Sequence, residues 1–350
     1  MILGIESSCD ESALALYSPS DGIQGEWIHS QITKHSEYGG VVPDIAVSEH
    51  LNNFIPLLSL AKEQYQLASI VSKVAVTCGP GLVGCLGIGL SVAKSLGLLW
   101  DIPVVGVNHL RGHAFSPFLP LGLSGEGTFA SYLPHLGLLV SGGNTILFTL
   151  NEKKEISIIA QTVDDAVGEA LDKGAKLLGI PYPGGAELER QARGGNTKAY
   201  DFPRAFASKN EMKFSFSGLK TSLLYTLKKM TESEVHERYS DLAASYQNAA
   251  IMQLVRKAGH ALECGNFRSI GLSGGVANNQ VLRDEMNKMA KKNDTELLCA
   301  APQHTGDNAG MICFAANVDS RNTWPNRNQE LSFNSALMLD EFPIHFDCMT

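Results

Sequence analysis

The feature that most restricts the fold of this chain is a strand, a tight polar turn and a second strand, occurring twice. Met1 to Glu6 is a short apolar run that meets Ser7-Ser8-Cys9-Asp10-Glu11, and Ser12 to Tyr17 resumes as its partner. Leu136-Gly137-Leu138-Leu139-Val140 meets Ser141-Gly142-Gly143-Asn144-Thr145, and Ile146 to Leu150 resumes in the same way. Ser7 and Ser141 lie 134 residues apart in equivalent settings. A third turn, Ser273-Gly274-Gly275-Val276-Ala277-Asn278-Asn279, follows the apolar Ile270-Gly271-Leu272 and opens a helix through Met289. Short apolar runs bounded by small polar residues read as buried strands. Glycine turns let a backbone approach a ligand closely, and a helix N-terminus favours negative charge. For any one of these turns a plain polar hairpin is the simpler reading. Two of them in separate halves, with a third at a helix start, suggest phosphates gripped between two α/β domains.

Length and composition agree with that division. At 350 residues the chain exceeds one comfortable core. A net charge of −8 argues against a protein that coats nucleic acid indiscriminately. The segment Lys173 to Lys229 nevertheless carries eleven Lys/Arg against four acidic residues, which suggests one anion-facing surface or, equally, a solvated helical region. Seven scattered cysteines without a CxxC fit reduced thiols. Glu6, Asp10 and Glu11 follow the N-terminus at once, so no signal peptide is expected. Leu82 to Trp100 is apolar but contains Lys94 and Gly84, Gly87, Gly89 and Gly97, and reads as a buried helix. A cytoplasmic protein without a membrane segment is expected.

Several motifs carry candidate chemistry. His109 and His113 stand four apart after the β-branched run Ile102 to Val107; on a helix they share a face and can bind one divalent metal, although such a pair also arises by chance. Thr305-Gly306-Asp307-Asn308 starts a helix, with Asp307 as N-cap or ligand. Asp164 through Leu178 reads as an amphipathic helix whose Glu169 and Asp172 face the same cleft, followed by Pro183-Gly184-Gly185. Gly79-Pro80-Gly81-Leu82-Val83-Gly84 formally matches a dinucleotide-binding GxGxxG, but Pro80 constrains the turn and no acid ends the next strand; close packing of glycines is the simpler explanation. Leu121 to Gly127 reads as a loop between the halves, and after Arg321 periodicity fades into an extension with one anchoring residue, Trp324.

Taken in order, these motifs resemble the TsaD/Gcp family, the tRNA threonylcarbamoyladenosine transferases. The matching residues are Gly4-Ile5-Glu6-Ser7-Ser8-Cys9-Asp10, Tyr38-Gly39-Gly40-Val41-Val42-Pro43, the His109/His113 pair and Ser141 to Thr145. They continue with Asp164 to Lys173, Phe214 to Thr221, Gly274-Gly275-Val276 with Asn279, and Asp307-Asn308, so the similarity spans about residues 1 to 325. The resemblance implies an actin/hexokinase/chaperone-ATPase-like (ASKHA) fold of two α/β domains. It places one domain at 1–130, joined by a C-terminal helix at about 305–325, the second at 131–304 and an extension at 326–350. It implies transfer of threonylcarbamoyl from threonylcarbamoyl-adenylate to N6 of adenosine 37 in tRNAs reading ANN codons. His109, His113 and Asp307 would hold Fe2+ or Zn2+, with Mg2+ accompanying a bound nucleotide. Leu139, Val140, Ser141, Gly142, Gly143, Asn144, Asp172, Gly185 and Asn279 would bind the adenylate, and Asp10 and Glu11 are the candidate catalytic residues, as base or as organisers of solvent. The implied partners are tRNA and TsaB-like and TsaE-like proteins.

Some positions depart from the family pattern. Arg111 stands where Glu is usual, which is expected to alter the charge beside the metal. Asp44, Ser48 and Asn278 are further departures, and Leu139 occupies the place of a tyrosine in archaeal relatives. A metalloprotease is disfavoured because HExxH needs Glu after the first histidine and Leu110 stands there. An ATPase or sugar kinase of the same fold is the remaining alternative.

Overall fold

The computed structural model describes residues 1–121, 126–208, 210–319, 329–343 and 345–347. The chain forms two compact units, residues 1–130 with 300–350 and residues 131–299. The middle of the 121–127 loop and Trp324 lie outside the described residues.

The first unit is built on a sheet of β1 (Ile2–Glu6), β2 (Glu11–Ser18), β3 (Gly22–Ser30), β4 (Lys73–Gly79) and β5 (Val104–Asn108). Its order is β3-β2-β1-β4-β5, with β1, β4 and β5 mutually parallel and β2 and β3 antiparallel. All five residues of β1 are buried, as expected when helices cover both faces of a sheet. Leu3 and Ile5 share a core with residues of the Pro43–Gln64 and Val83–Trp100 helices, including Phe54, Leu57, Leu90 and Leu96. Gly4, on the opposite face, lies against the Ala309–Val318 helix so closely that an added Cβ would stand 2.6 Å from the Ala309 carbonyl oxygen. The Val83–Trp100 helix is long and apolar enough to cross a membrane by length and composition, and Cys85, Leu86, Leu90, Ala93 and Leu96 are buried in this unit.

The second unit repeats the plan. Its strands are β6 (His135–Val140), β7 (Thr145–Leu150), β8 (Ile156–Gln161), β9 (Ser269–Ser273) and β10 (Glu296–Cys299), in the order β10-β9-β6-β7-β8. Here β6, β9 and β10 are parallel while β7 and β8 are antiparallel. In both units the first strand is central, a hairpin lies on one side and two parallel strands on the other. This duplicated topology is that of the ASKHA expectation, and the polar turns at Ser7 and Ser141 fall at the same place in each sheet, between Glu6↔Ala13 and Val140↔Thr145.

Two element boundaries differ from the sequence reading. The helix expected from Asp164 begins at Val167, because the Asp164 carboxylate instead accepts from Phe216 N and the Ser215 and Ser217 hydroxyls. The turn after β9 passes through a short 3-10 segment, Gly275–Asn278, before the Gln280–Lys292 helix begins at the Asn279 cap. After Pro183-Gly184 a further helix, Gly185–Gln191, begins.

Candidate functional site

In the first unit, β5 runs directly into the seven-residue helix His109–Phe115. Asn108 caps it, its Oδ1 accepting from Leu110 N at 2.9 Å and Arg111 N at 3.4 Å. The His109 and His113 rings meet edge-on at 4.8 Å between centroids. Asp307 was expected to be an N-cap or a ligand; the cap of the Ala309–Val318 helix is Asn308, whose side chain accepts from Met311 N at 2.8 Å. That leaves the Asp307 carboxylate 3.0 Å from His113 Nε2 and 3.5 Å from His109 Nε2. One ligand atom from each residue lies within 4.8 Å of the others. Ligands bonded at about 2.0–2.2 Å around a four-coordinate ion stand roughly 3.5 Å apart, and two imidazoles with a carboxylate suit Zn2+ or Fe2+. The donor set therefore fits such an ion. Asp307 is 22% exposed while the histidines are 8% and 1% exposed, so access is from the aspartate side.

Glu6 belongs to this cluster and was not singled out by the motif reading. Its carboxylate is wholly buried and accepts from Ser8 N at 2.6 Å, Thr77 Oγ1 at 2.5 Å and His109 Nδ1 at 3.1 Å. A carboxylate at Nδ1 holds a proton there and fixes the ring so that Nε2, on the Asp307 side, is the nitrogen that would bind a metal, the usual support of a metal-binding histidine. The only signal in the sequence is an acid ending an otherwise apolar strand. Burial opposes the charges in this cluster, but the partners outweigh it. Asp307 and Glu6 raise His109 to about 9 despite its burial. In return, and against their own burial, Glu6 is lowered chiefly by His109 and Asp307 by His109 and His113.

The expected catalytic residues stand in the adjoining turn. Burial, joined by the charges of Asp307 and Asp10, pushes the Glu11 carboxyl up to about 10, and Ser30 donates to it at 3.2 Å. The Asp10 carbonyl accepts from Gln31 N, and His50 holds the turn through the Cys9 carbonyl oxygen at 3.0 Å and Ser12 Oγ at 2.7 Å. Arg111 does not alter the charge beside the cluster, contrary to expectation. Two residues along a helix is roughly 200° of rotation, and its guanidinium is buried in an ion pair with Asp319. Gly79 is not a phosphate loop either: its missing side chain admits the Asn334 carbonyl, whose residue donates its N–H to the Cys78 oxygen.

In the second unit, Ser141 N donates to the Asn144 carbonyl and Asn144 N to Ser141 Oγ, closing the β6–β7 turn. A Cβ on Gly168 would lie 2.5 Å from the Ser141 carbonyl oxygen, and one on Gly274 (φ +84°) 2.3 Å from that of Val140. Both glycines are thus required for the 141–144 turn, the start of the Val167–Leu177 helix and the turn after β9 to meet. Gly142, Gly143 and Gly275 face open space. Asp172, one helical turn beyond Gly168, accepts from Gly184 N and Gly185 N at 2.8 Å each; burial raises its carboxyl against those two bonds. Asn279 is buried, capping its helix through Leu282 N and donating to Gln247 Oε1 at 3.0 Å. The side chains of Leu139 and Val140 are fully buried, so only their backbone could meet a ligand.

The family model described as "TsaD: tRNA N6-adenosine threonylcarbamoyltransferase" matches residues 22–314. The chain belongs to the TsaD family. A tRNA N6-adenosine threonylcarbamoyltransferase of Polynucleobacter necessarius subsp. necessarius (strain STIR1) is 41% identical over 332 residues, covering 90% of this chain and 91% of the relative. Transfer of threonylcarbamoyl to tRNA is accordingly the activity of this protein. Among solved structures, full-length HypF in a phosphate- and nucleotide-bound form matches with a TM-score of 0.58 at 15% identity, over 91% of this chain and 46% of that one. HypF of T. kodakarensis matches with a TM-score of 0.55 at 15% identity, over 90% and 46%. At that identity the likeness establishes the fold alone, and this chain spans less than half of either HypF chain.

Proposed function

We propose that this protein takes threonylcarbamoyl from threonylcarbamoyl-adenylate and transfers it to N6 of adenosine 37 in tRNAs that read codons beginning with A. The observation that carries the reading is the side-chain-free surface made where Gly142, Gly143 and Gly275 face open space beside Gly168 and Gly274. Such a surface admits a nucleotide close to backbone N–H groups. Ser141 and Asn144 border it, Val140 and Leu139 offer backbone groups, Asp172 and Gly185 hold the adjoining loop, and Asn279 fixes the helix that follows. His109, His113 and Asp307 would hold iron or zinc, with Glu6 setting the tautomer of His109. An ion held by these residues would supply Lewis-acid chemistry to the transfer.

In the reaction the N6–C bond forms, the bond from the carbamoyl carbon to the phosphate oxygen breaks, AMP leaves and N6 gives up a proton. The exocyclic amine is a poor nucleophile, so positioning supplies much of the rate. Asp10 and Glu11 are the proposed residues for accepting that proton or ordering the solvent that does. The target base must be unstacked to react. Exposed Lys198, Arg204, Lys213, Lys220, Lys228 and Lys229 in the second unit would grip the tRNA backbone. TsaB-like and TsaE-like partners, a Mg2+-bound nucleotide and a cytoplasmic location complete the proposal.

The test incubates the protein and its partners with threonylcarbamoyl-adenylate and tRNA and quantifies modified nucleosides by mass spectrometry, beside Asp307→Ala. Product in the wild type and none in the variant supports the adenylate and the third ligand. Product in both retains the adenylate and removes Asp307 from the metal set. No product with active partners and adenylate, but product from another threonylcarbamoyl donor, sinks the proposal.

A further inference from the structure

We infer that Arg111 is a positioning residue: its ion pair with Asp319, together with the C-terminal segment 338–342, sets the separation of His109 and His113 from Asp307. This rests on the metal reading of that cluster. The His109–Phe115 helix is only seven residues long, too short to hold its own geometry. Its cap residue and one residue of the helix reach away from the histidine face into the C-terminal segment. Asn108 Nδ2 donates to the Met338 carbonyl at 2.7 Å and the Glu341 carbonyl at 3.0 Å. Arg111 is 1% exposed; its Nε donates to Asp319 Oδ2, its Nη1 to the Leu339 carbonyl at 3.3 Å, and its guanidinium carbon lies 4.5 Å from the Phe342 ring centroid.

Asp319 is the decisive partner because of where it stands. It is the C-cap of the Ala309–Val318 helix, the helix that begins two residues after Asp307. Arg111 therefore ties the helix bearing two of the ligands to the far end of the helix that presents the third. Between these fixed points Gly112 packs against Ile312 and Met311, with an added Cβ only 3.1–3.2 Å from their side chains. Rotation of the short helix would break the planar, directional contacts of the guanidinium, which a lysine or an apolar side chain does not reproduce.

Loss of a buried ion-pair partner can unfold a protein, so the deciding variant replaces the whole pair, Arg111→Met with Asp319→Leu, a kind of exchange that usually preserves folding. Full-length protein would be titrated with Co2+ alone, reading affinity and the visible d–d spectrum, with folding checked by circular dichroism. The inference expects wild-type thermal stability or better, Co2+ binding at least tenfold weaker and an altered spectrum; Arg111→Lys should fall between this variant and the wild type. Wild-type affinity and spectrum in the folded double variant would overturn it, leaving the pair a purely structural contact. If the double variant does not fold, Arg111→Lys decides on the same two readouts. A wild type that binds no Co2+ would instead remove the metal reading, and the inference with it.

Discussion

Replacing Gly4 by alanine tests how the two ends of the cluster are brought together. Gly4 lies in β1 against the Ala309–Val318 helix, and an ideal Cβ there would stand 2.6 Å from the Ala309 carbonyl oxygen and 2.5 Å from Cys313 Sγ. Ordinary contact begins at 3.4 Å, so the first turn of the helix must retreat by about 0.8 Å. The obstructing atom is backbone and cannot swing aside. Ala309 is two residues beyond Asp307, whose carboxylate lies 3.0 Å and 3.5 Å from the two imidazoles; the retreat carries it out of hydrogen-bond range. Overpacking of this kind costs about 1–3 kcal/mol, and the displaced ligand should weaken Co2+ binding roughly tenfold or more, the scale of losses at supporting residues. Trp27 and Trp100 report on the first unit and the second contains no tryptophan, so fluorescence-detected denaturation isolates the effect. Gly40→Ala, where an added Cβ meets nothing within 4 Å, is the control and should stay within about 0.5 kcal/mol of the wild type. A Gly4→Ala protein with wild-type stability and wild-type Co2+ affinity would refute the reasoning, because the helix would then be free to accept a side chain without moving its aspartate.

Three further outcomes follow from single contacts. Glu6→Gln should weaken the bond at His109 Nδ1, because one oxygen is lost as an acceptor together with the charge, lower the ring from its raised value of about 9 and weaken metal binding by about 10–100-fold; a nitrogen-15 NMR titration of the ring would read the shift, and an unaltered titration would exclude the mechanism. Gly274→Ala combines a φ of +84° with a Cβ 2.3 Å from the Val140 carbonyl oxygen, so the second unit should lose roughly 2 kcal/mol or more in denaturant titrations; a loss under half of that would show that the turn relaxes. His135, buried with Nδ1 2.6 Å from Ser269 Oγ, is depressed by burial from 6.5 to about 3. The unfolded chain therefore binds the extra proton first, and the stability present above pH 6.5 drains away as pH falls towards 3, by about 2 kcal/mol at pH 5. In His135→Gln the slope of stability against pH between 4 and 6.5 should flatten by that amount, and an unaltered slope would assign the acid sensitivity elsewhere.

The topology was legible because it is written in local pattern. Both hairpins show apolar runs flanking a small polar turn, and a repeat of that pattern at a spacing of one domain predicts a repeated sheet. The misplaced boundaries share another cause. Asp164 and Asp165 resemble a helix first turn, yet Asp164 serves the Ser217–Leu227 helix, some fifty residues away in sequence. Asp307 and Asn308 are both good caps, and the sequence cannot choose between neighbours; the register of the helix gives the cap to Asn308 and frees the acid. The basic run from Lys173 overstated the free charge, since Lys173 is paired with Asp165 and Glu169 and Arg190 with Glu187.

The supporting residues of the cluster were hidden for a topological reason. Glu6 and His109 are 103 positions apart, and no periodicity connects them. Once the order β1-β4-β5 is known, the connection follows. The three strands are parallel and adjacent, so their carboxyl ends lie in a row, and those ends carry Glu6, Thr77 and the Asn108–His109 step. The hydrogen bonds from Thr77 and His109 to the Glu6 carboxylate run along that row. An acid at the end of a central buried strand is costly unless its neighbours at the same edge can satisfy it. The edge therefore selects a hydroxyl from β4 and an imidazole N–H from the end of β5, and the imidazole bound in this way has only its second nitrogen left to offer a metal.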